Sequence, residues 1–441
     1  MDQTGAGRRQ WHQAGPTRLA EPSGNAMTTL HARSQEVRGD YAHGAFQIRI
    51  GQYAMPIGER GLIRRSAQGQ PIERLRPFIK GLHHHAPPCH IGADRGSELA
   101  PPKMAIDIAE FTDLEPVAID AHGALDRRNQ ASLFDRLDWY RLLLRHCPFA
   151  GTPLIVRARD EEGTVWLFMS RQGRRATALA NWYSFETGTI DDGVVRPALV
   201  EALARHLRRR FTVVELAPIG SDRLATMIEP FRAAGWIGRT AETTVNWTVT
   251  IADADWNSYL KIRPSRLQST LKRKQKASEL SIRISHIFSE DEWRSYESVY
   301  ASSWKPAEGS PDFLRALARQ EGEAGTLRLG LAFDEGAPIA AQFWRVESGT
   351  AMIHKLAHLE ARRSDSPGTI LTAAMFRHAI ERDKVRRIDF GTGDDAYKAD
   401  WMDRREALFR LTLFNPASIQ GLLGAARESL SGARARIRRT P

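Results

Sequence analysis

The chain has only two cysteines in 441 residues, Cys89 and Cys147, and no Cys-x-x-Cys pair. A disulfide framework and the common zinc and thiol-redox motifs are therefore excluded. No stretch approaches the ~18 consecutive apolar residues that a transmembrane helix requires. The first residues lack the basic patch followed by an apolar run that marks a secretory signal. The expected setting is reducing and cytoplasmic, where the sequon at Asn246, Trp247 and Thr248 carries no weight. What remains is 42% apolar and 26% charged, a globular composition. The length allows two or three domains, each with its own core.

The net charge of +11 invites a nucleic-acid partner, but its distribution argues against one. Residues 1–103 hold 14 Lys and Arg against 8 Asp and Glu, and residues 424–441 hold 5 Arg against 1 Glu. The body between them is close to neutral. A basic end with Arg434, Arg436, Arg438 and Arg439 suits an anionic lipid surface or RNA, or is simply solvated.

Residues 1–103 show no sustained period of 2 or 3.6 and are rich in Gly, Pro, Arg, Gln and His. They are expected to be a disordered extension, or an over-long start with translation beginning at Met104. A short strand at 46–53 is the one local element foreseen there. The cluster His83, His84, His85, Cys89 and His90 uses metal-ligand residue types at a spacing that fits no zinc pattern, so no metal is expected.

From residue 104 the chain alternates helical and strand patterns, an α/β organisation. Helices are expected at 133–146, 195–210 and 223–234, with strands at 154–158, 165–170, 176–183 and 212–217 and an extended run to 251. The second half repeats the order. A basic helix spans 255–278, interrupted or started by Pro264, followed by a strand at 281–287 and helices at 291–303 and 312–320. Strands then fall at 327–333, 338–347 and 351–359, a helix at 368–382, a strand at 386–390, a short helix to 401 and a strand at 408–414. Ala150-Gly151-Thr152 with Asp160 matches Ala324-Gly325-Thr326 with Asp334, each Thr-to-Asp step being eight residues. The expectation is two copies of one α/β domain, at 104–250 and 251–423, between an extension at 1–103 and a basic tail at 424–441.

Residues 350–401 carry the chemistry. A strand enters a polar loop at 361–366, and Pro367 and Gly368 open a helix. The first amides of a helix lack intrahelical acceptors and its N-terminus carries partial positive charge, so phosphate binds such places. Arg362 and Arg363 add charge, Ser366 and Thr369 add hydroxyls, and Gly368 lets a phosphate approach. A plainly capped helix with Pro at N1 explains the same residues. Next, Asp389, Gly391, Gly393, Asp394, Asp395, Tyr397, Lys398 and Trp401 follow a buried strand, where α/β proteins place their sites. Carboxylates, a phenol and an ammonium together serve proton transfer. An Asp-Gly turn with a salt bridge is the structural alternative.

At these residues a resemblance appears. Ser366-Pro367-Gly368-Thr369, then IDFGTGDDAYK (388–398) and Trp401, resemble the FemAB-like, CelD-type (cellulose-biosynthesis-associated) branch of the GNAT acyltransferase superfamily. The Ser/Arg/Lys-rich helix around YLKIRPSRLQSTLKRKQKA (259–277) and LANWYS (179–184) resemble further motifs of that branch, over roughly residues 130–415. The resemblance implies tandem GNAT-like domains, each a mixed, mostly antiparallel sheet flanked by helices. It implies acetyl-CoA or another acyl-CoA as donor, no metal, and transfer to an amine or hydroxyl, often of a saccharide or cell-envelope precursor. The phosphate loop ArgArgSerAspSerProGly departs from the usual Gln/Arg-x-x-Gly-x-Gly/Ala.

Direct attack on a thioester needs a base, oxyanion donors and a proton for the leaving thiolate. The base is expected to be Asp394, then Asp395, then His354. Tyr397 is expected to protonate the thiolate, Lys398 to hold a carboxylate or a phosphate or to balance Asp394, and backbone amides of strand 351–359 to hold the oxyanion. Arg362, Arg363, Ser366, Gly368 and Thr369 would bind the donor. Two alternatives remain open: an aminoacyl-tRNA donor, suited to the basic helix, and a non-catalytic scaffold in envelope polysaccharide synthesis. Peripheral contact with the inner membrane through the basic tail is a further expectation.

Overall fold

Apolar side chains at every third or fourth position set the helices, and alternating or continuous apolar runs set the strands. The computed structural model describes residues 105–437 except 253, 254 and 278. The expectations for residues 1–103, including the disorder, the start site, the short strand and the histidine cluster, lie outside the described residues.

The first half runs β1 (Asp107–Phe111), α1 (Leu114–Ala121), α2 (Leu137–His146), β2 (Thr152–Arg159), β3 (Thr164–Gln172), β4 (Arg175–Ala178), β5 (Thr189–Ile190), α3 (Pro197–Arg210), β6 (Val213–Gly220), α4 (Ser221–Ala233) and β7 (Ile237–Thr250). The second runs α5 (Trp256–Lys261), α6 (Ser265–Ala277), β8 (Ser281–Ser285), α7 (Glu290–Ala301), α8 (Pro311–Glu323), β9 (Leu327–Asp334), β10 (Ala337–Glu347), β11 (Thr350–His358), α9 (Pro367–Glu381), β12 (Arg387–Thr392), β13 (Arg404–Phe414) and α10 (Ile419–Ile437). Pro264 separates α5 from α6 as its missing amide and restricted predecessor require.

All thirteen strands join one sheet in the order β1-β2-β3-β4-β6-β13-β7-β12-β11-β10-β9-β8, with β5 beside β3. The internal repeat is visible in it. Each half has an antiparallel hairpin, β2–β3 or β9–β10. Each then has a parallel pair around a helix, β4–β6 around α3 or β11–β12 around α9. The closing strands are exchanged. β7 belongs by sequence to the first half but pairs with β12, while the last strand β13 pairs with β6. β7 and β13 also pair with each other from Ile237 to Thr248.

On one face, α3 and α4 cover the first half through Leu199, Leu203, Leu207 and Phe231, and α9 covers the second through Leu371, Met375 and Phe376. On the other face α2 and α8 share one core, with Trp139 edge-on to Phe313 at 5.2 Å. Buried charges tie the halves together as well. Arg136 and Arg127, from the first half, pair with Glu347 of the second at 2.7 and 3.1 Å.

The structure departs from the sequence reading in several places. The helix expected at 133–146 begins only at Leu137, and the one expected at 255–278 is two helices. The strand expected at 176–183 ends at Ala178, because Asn181 accepts the Tyr183 amide at 3.0 Å and turns the chain. Residues 419–437, read mostly as a tail, form α10.

Candidate active site

β11 and β12 are paired only at Thr350, Ala351 and Met352, opposite Arg387, Ile388 and Asp389. Both strands carry an irregularity just past that point. On β11 an extra residue falls at His354, since Phe343 faces Lys355 while Trp344 faces Ile353. On β12 the register against β7 shifts between Asp389 and Thr392. Gly391 takes φ of 70°, and a Cβ there would sit 2.9 Å from the Phe185 ring and 3.1 Å from the Ile353 carbonyl oxygen. The buried Asp389 holds the turn, accepting from the Gly391 amide at 2.8 Å and the Asn246 side chain at 2.9 Å. Bulges of this kind end pairing and re-aim side chains.

Where the strands part lies a cavity of about 170 Å³. It is continuous in its lining with a cleft of about 730 Å³ between α6, the end of β11 and the start of α9. Four residues line both: Lys305, Leu356, Asp395 and Tyr397. The smaller cavity is completed from the first half by Trp182, Tyr183 and Phe185.

The expected catalytic residues separate. Asp394 lines neither space; Arg405 holds it at 2.7 Å and Trp247 at 3.3 Å, and the guanidinium keeps its carboxyl below the usual range. Asp395 faces both spaces, with Lys398 at 3.8 Å. Lys398 is buried and donates to the carbonyls of Gly391, Thr392 and Gly393 at 3.3, 2.7 and 3.2 Å. Its three protons thus fasten the turn, although burial lowers its pKa to about 8. Tyr397 lines both spaces, and partial burial of its phenol, with Asp395 nearby, raises its pKa so that it stays protonated at neutral pH although the residue is 41% exposed. His354 lines the smaller cavity among aromatic rings, its Nε2 without a hydrogen-bond partner. Burial and the neighbouring Lys355 lower its pKa to about 3, so it is neutral. An imidazole that weakly basic is a poor proton acceptor.

The donor residues separate too. Gly368 and Thr369 line the large cleft with Arg363, whereas Arg362 is engaged by Asp334 at 2.6 Å and Asp365 at 2.7 Å. Ser366 adopts a left-handed conformation before Pro367 and makes no side-chain cap. The Thr369 and Ile370 amides turn back to its carbonyl at 3.0 and 3.1 Å, which leaves Gly368 as the first amide at the cleft. A Cβ on Gly368 would lie 3.0 Å from His358 Nδ1. Thr372 fixes this first turn by donating to the Gly368 carbonyl at 2.8 Å.

Sequence reasoning missed Lys305. It stands in the linker between α7 and α8, where burial and the neighbouring Lys355 lower its ammonium to about 8. Its only signal is its neighbour Trp304, a large exposed aromatic in a short connection. Also missed was a chain of contacts from the first half. Tyr183 donates to Glu308 at 2.5 Å and accepts from the Ser310 amide at 3.0 Å, and Lys355 pairs with Glu308 at 3.1 Å.

Residues 265–399 match the family described as acetyltransferase (GNAT) domain. No curated protein matches the chain. Among solved structures, the chain is similar to FemX, at 9% identity over 64% of this chain and 92% of that one, TM-score 0.47. It is also similar to a tandem GNAT protein from the clavulanic acid biosynthesis pathway, at 13% over 70% and 98%, TM-score 0.42. A third is the C-terminal domain of a putative lysylphosphatidylglycerol synthetase from Agrobacterium fabrum, at 15% over 60% and 84%, TM-score 0.41.

Proposed function

We propose that this chain, whose residues 265–399 match the acetyltransferase (GNAT) domain family, moves an acyl group from coenzyme A to an amine or hydroxyl. The observation that carries this reading is the junction of two spaces at Lys305, Asp395 and Tyr397, where β11 and β12 part. The large cleft takes the donor. Its phosphates lie against the start of α9 and Arg363, which supply amide and guanidinium donors. The small cavity takes the acceptor group, and its lining by Trp182 and Tyr183 gives the first half a share in acceptor choice. The CelD-type resemblance supports a saccharide or other cell-envelope precursor, and acetyl is the simplest group to carry.

In the reaction the acceptor nitrogen or oxygen attacks the thioester carbonyl carbon and loses its proton to the Asp395 carboxylate. The Lys305 ammonium faces the oxygen that gains charge, beside the β12-facing amides of β11 that have no strand partner past Met352. The carbon–sulfur bond then breaks, and the protonated Tyr397 phenol donates to the departing thiolate. Titration of the full chain with acetyl-CoA and longer acyl-CoAs, beside Gly368→Trp, tests the donor. Micromolar binding that the variant abolishes supports the proposal; binding to no acyl-CoA overturns it.

A second reading has its own support. On α6, Arg266 and Thr270 line the large cleft, and Lys272, Arg273 and Lys276 are exposed beside it. That face suits the phosphates of an aminoacyl-tRNA donor, and binding that weakens steeply with salt would favour it.

A further inference from the structure

α10 is attached to the sheet by one face only. Ala425 is buried with Val213 and Phe414, and Gly424 approaches the Phe414 ring so closely that a Cβ would lie 2.6 Å from it. Gly421 lies against the Asn415 carbonyl on the same side. The opposite side is apolar rather than polar. Ile419, Leu422, Leu423, Ala426 and Leu430 follow the i, i+3, i+4, i+7, i+11 pattern of one helical stripe. They are open to solvent, with Ile419 78%, Leu423 66% and Leu430 65% exposed. A helix packed on a protein ordinarily turns its apolar stripe inward, so the reversed order needs an external partner.

Charge identifies that partner. Arg427 is exposed beside the stripe, and the last 18 residues of the sequence hold five arginines against one glutamate. A second copy of the chain would add five more arginines in its last 18 residues, with a single glutamate to meet them. An anionic bilayer supplies both the apolar layer and the opposite charge, and helices of this make-up lie in its interface. We propose that α10 is an interfacial anchor that docks the protein on an anionic phospholipid surface through Ile419, Leu422, Leu423 and Leu430.

The test is co-sedimentation of the full chain with vesicles of phosphatidylcholine alone and of phosphatidylcholine mixed with phosphatidylglycerol. The wild type is expected to pellet with the mixed vesicles, less so at high salt. Leu423→Glu with Leu430→Glu is expected to weaken that binding roughly tenfold or more without altering the melting temperature, because both positions are exposed. Arg427→Glu is expected to weaken it less. Failure of the wild type to pellet, or undiminished pelleting of the double variant, overturns the proposal. So does a wild-type dimer that becomes monomeric in the double variant without any vesicle binding, since a second copy would then cover the stripe.

Discussion

The phenol of Tyr183, from the first half, donates a hydrogen bond to Glu308, from the second, at 2.5 Å. Glu308 in turn holds Lys355, whose ammonium also lies 4.8 Å from the Tyr183 ring centroid. The wall of the smaller cavity therefore depends on both halves. Tyr183→Phe is expected to lose about 1.5–3 kcal/mol of stability, the range for a hydrogen bond to a charged group. It is also expected to raise the KM for the acceptor more than that for the donor. Denaturant titration and initial rates read the two effects separately.

Adjacent carboxylates should behave differently. Asp395→Asn is expected to lower kcat by roughly a hundredfold or more, the usual contribution of a positioned general base. Asp394→Asn is expected to leave turnover within about twofold. Its exposed pair with Arg405 is worth at most about 1 kcal/mol. Steady-state kinetics of the two variants side by side distinguish them, and equal losses would remove Asp395 from the base role.

Lys305 gives a pH signature. Burial lowers its ammonium to about 8, so it sheds its proton and its electrostatic effect as the pH rises past that value. The rate is expected to fall on that alkaline side. Lys305→Met should cost about a hundredfold in kcat and abolish the fall. In Lys305→Arg the charge no longer titrates near neutrality, so any remaining rate should hold its plateau to higher pH.

His354 links stability to acid. Folded, it stays neutral down to about 3; unfolded, it takes a proton below its ordinary 6.5. Between those values the unfolded chain binds the extra proton, so stability falls as the pH drops, by up to about 1.4 kcal/mol per pH unit. Above 6.5 the group contributes no slope. Denaturation of the wild type and His354→Gln at neutral and acidic pH should show a shallower acid slope in the variant.

Much of this architecture was legible in local pattern. Pro264 ahead of the basic helix α6, the hairpins opened by Gly151-Thr152 and Gly325-Thr326, and the turn after Phe390 all depend on near neighbours, which a sequence displays. The site was legible only as a region. Asp394 and Asp395 are adjacent letters, and which one faces the cavity depends on Arg405 and Trp247, both brought in by other strands. Arg362 and Arg363 divide in the same way, because Asp334 claims the first. Tyr183 was marked only as part of the 179–184 motif and Lys305 only by its neighbour Trp304, since their importance arises from contacts 50 to 127 residues distant. The apolar stripe of α10 is short and runs into arginines, so its period is weak in the sequence.

The exchange of closing strands sets a timetable for synthesis. β6 is made early, yet the strand that covers its edge ends at Phe414, almost two hundred residues later. Through that interval a nascent chain offers the ribosome's surroundings an open row of amides and carbonyls, the kind of edge that recruits foreign strands. The amino-terminal half is therefore expected to complete its sheet only once β13 has been made. A gene cut after residue 250 would therefore yield two fragments that each lack a strand only the other can lend, and neither is expected to fold until they meet.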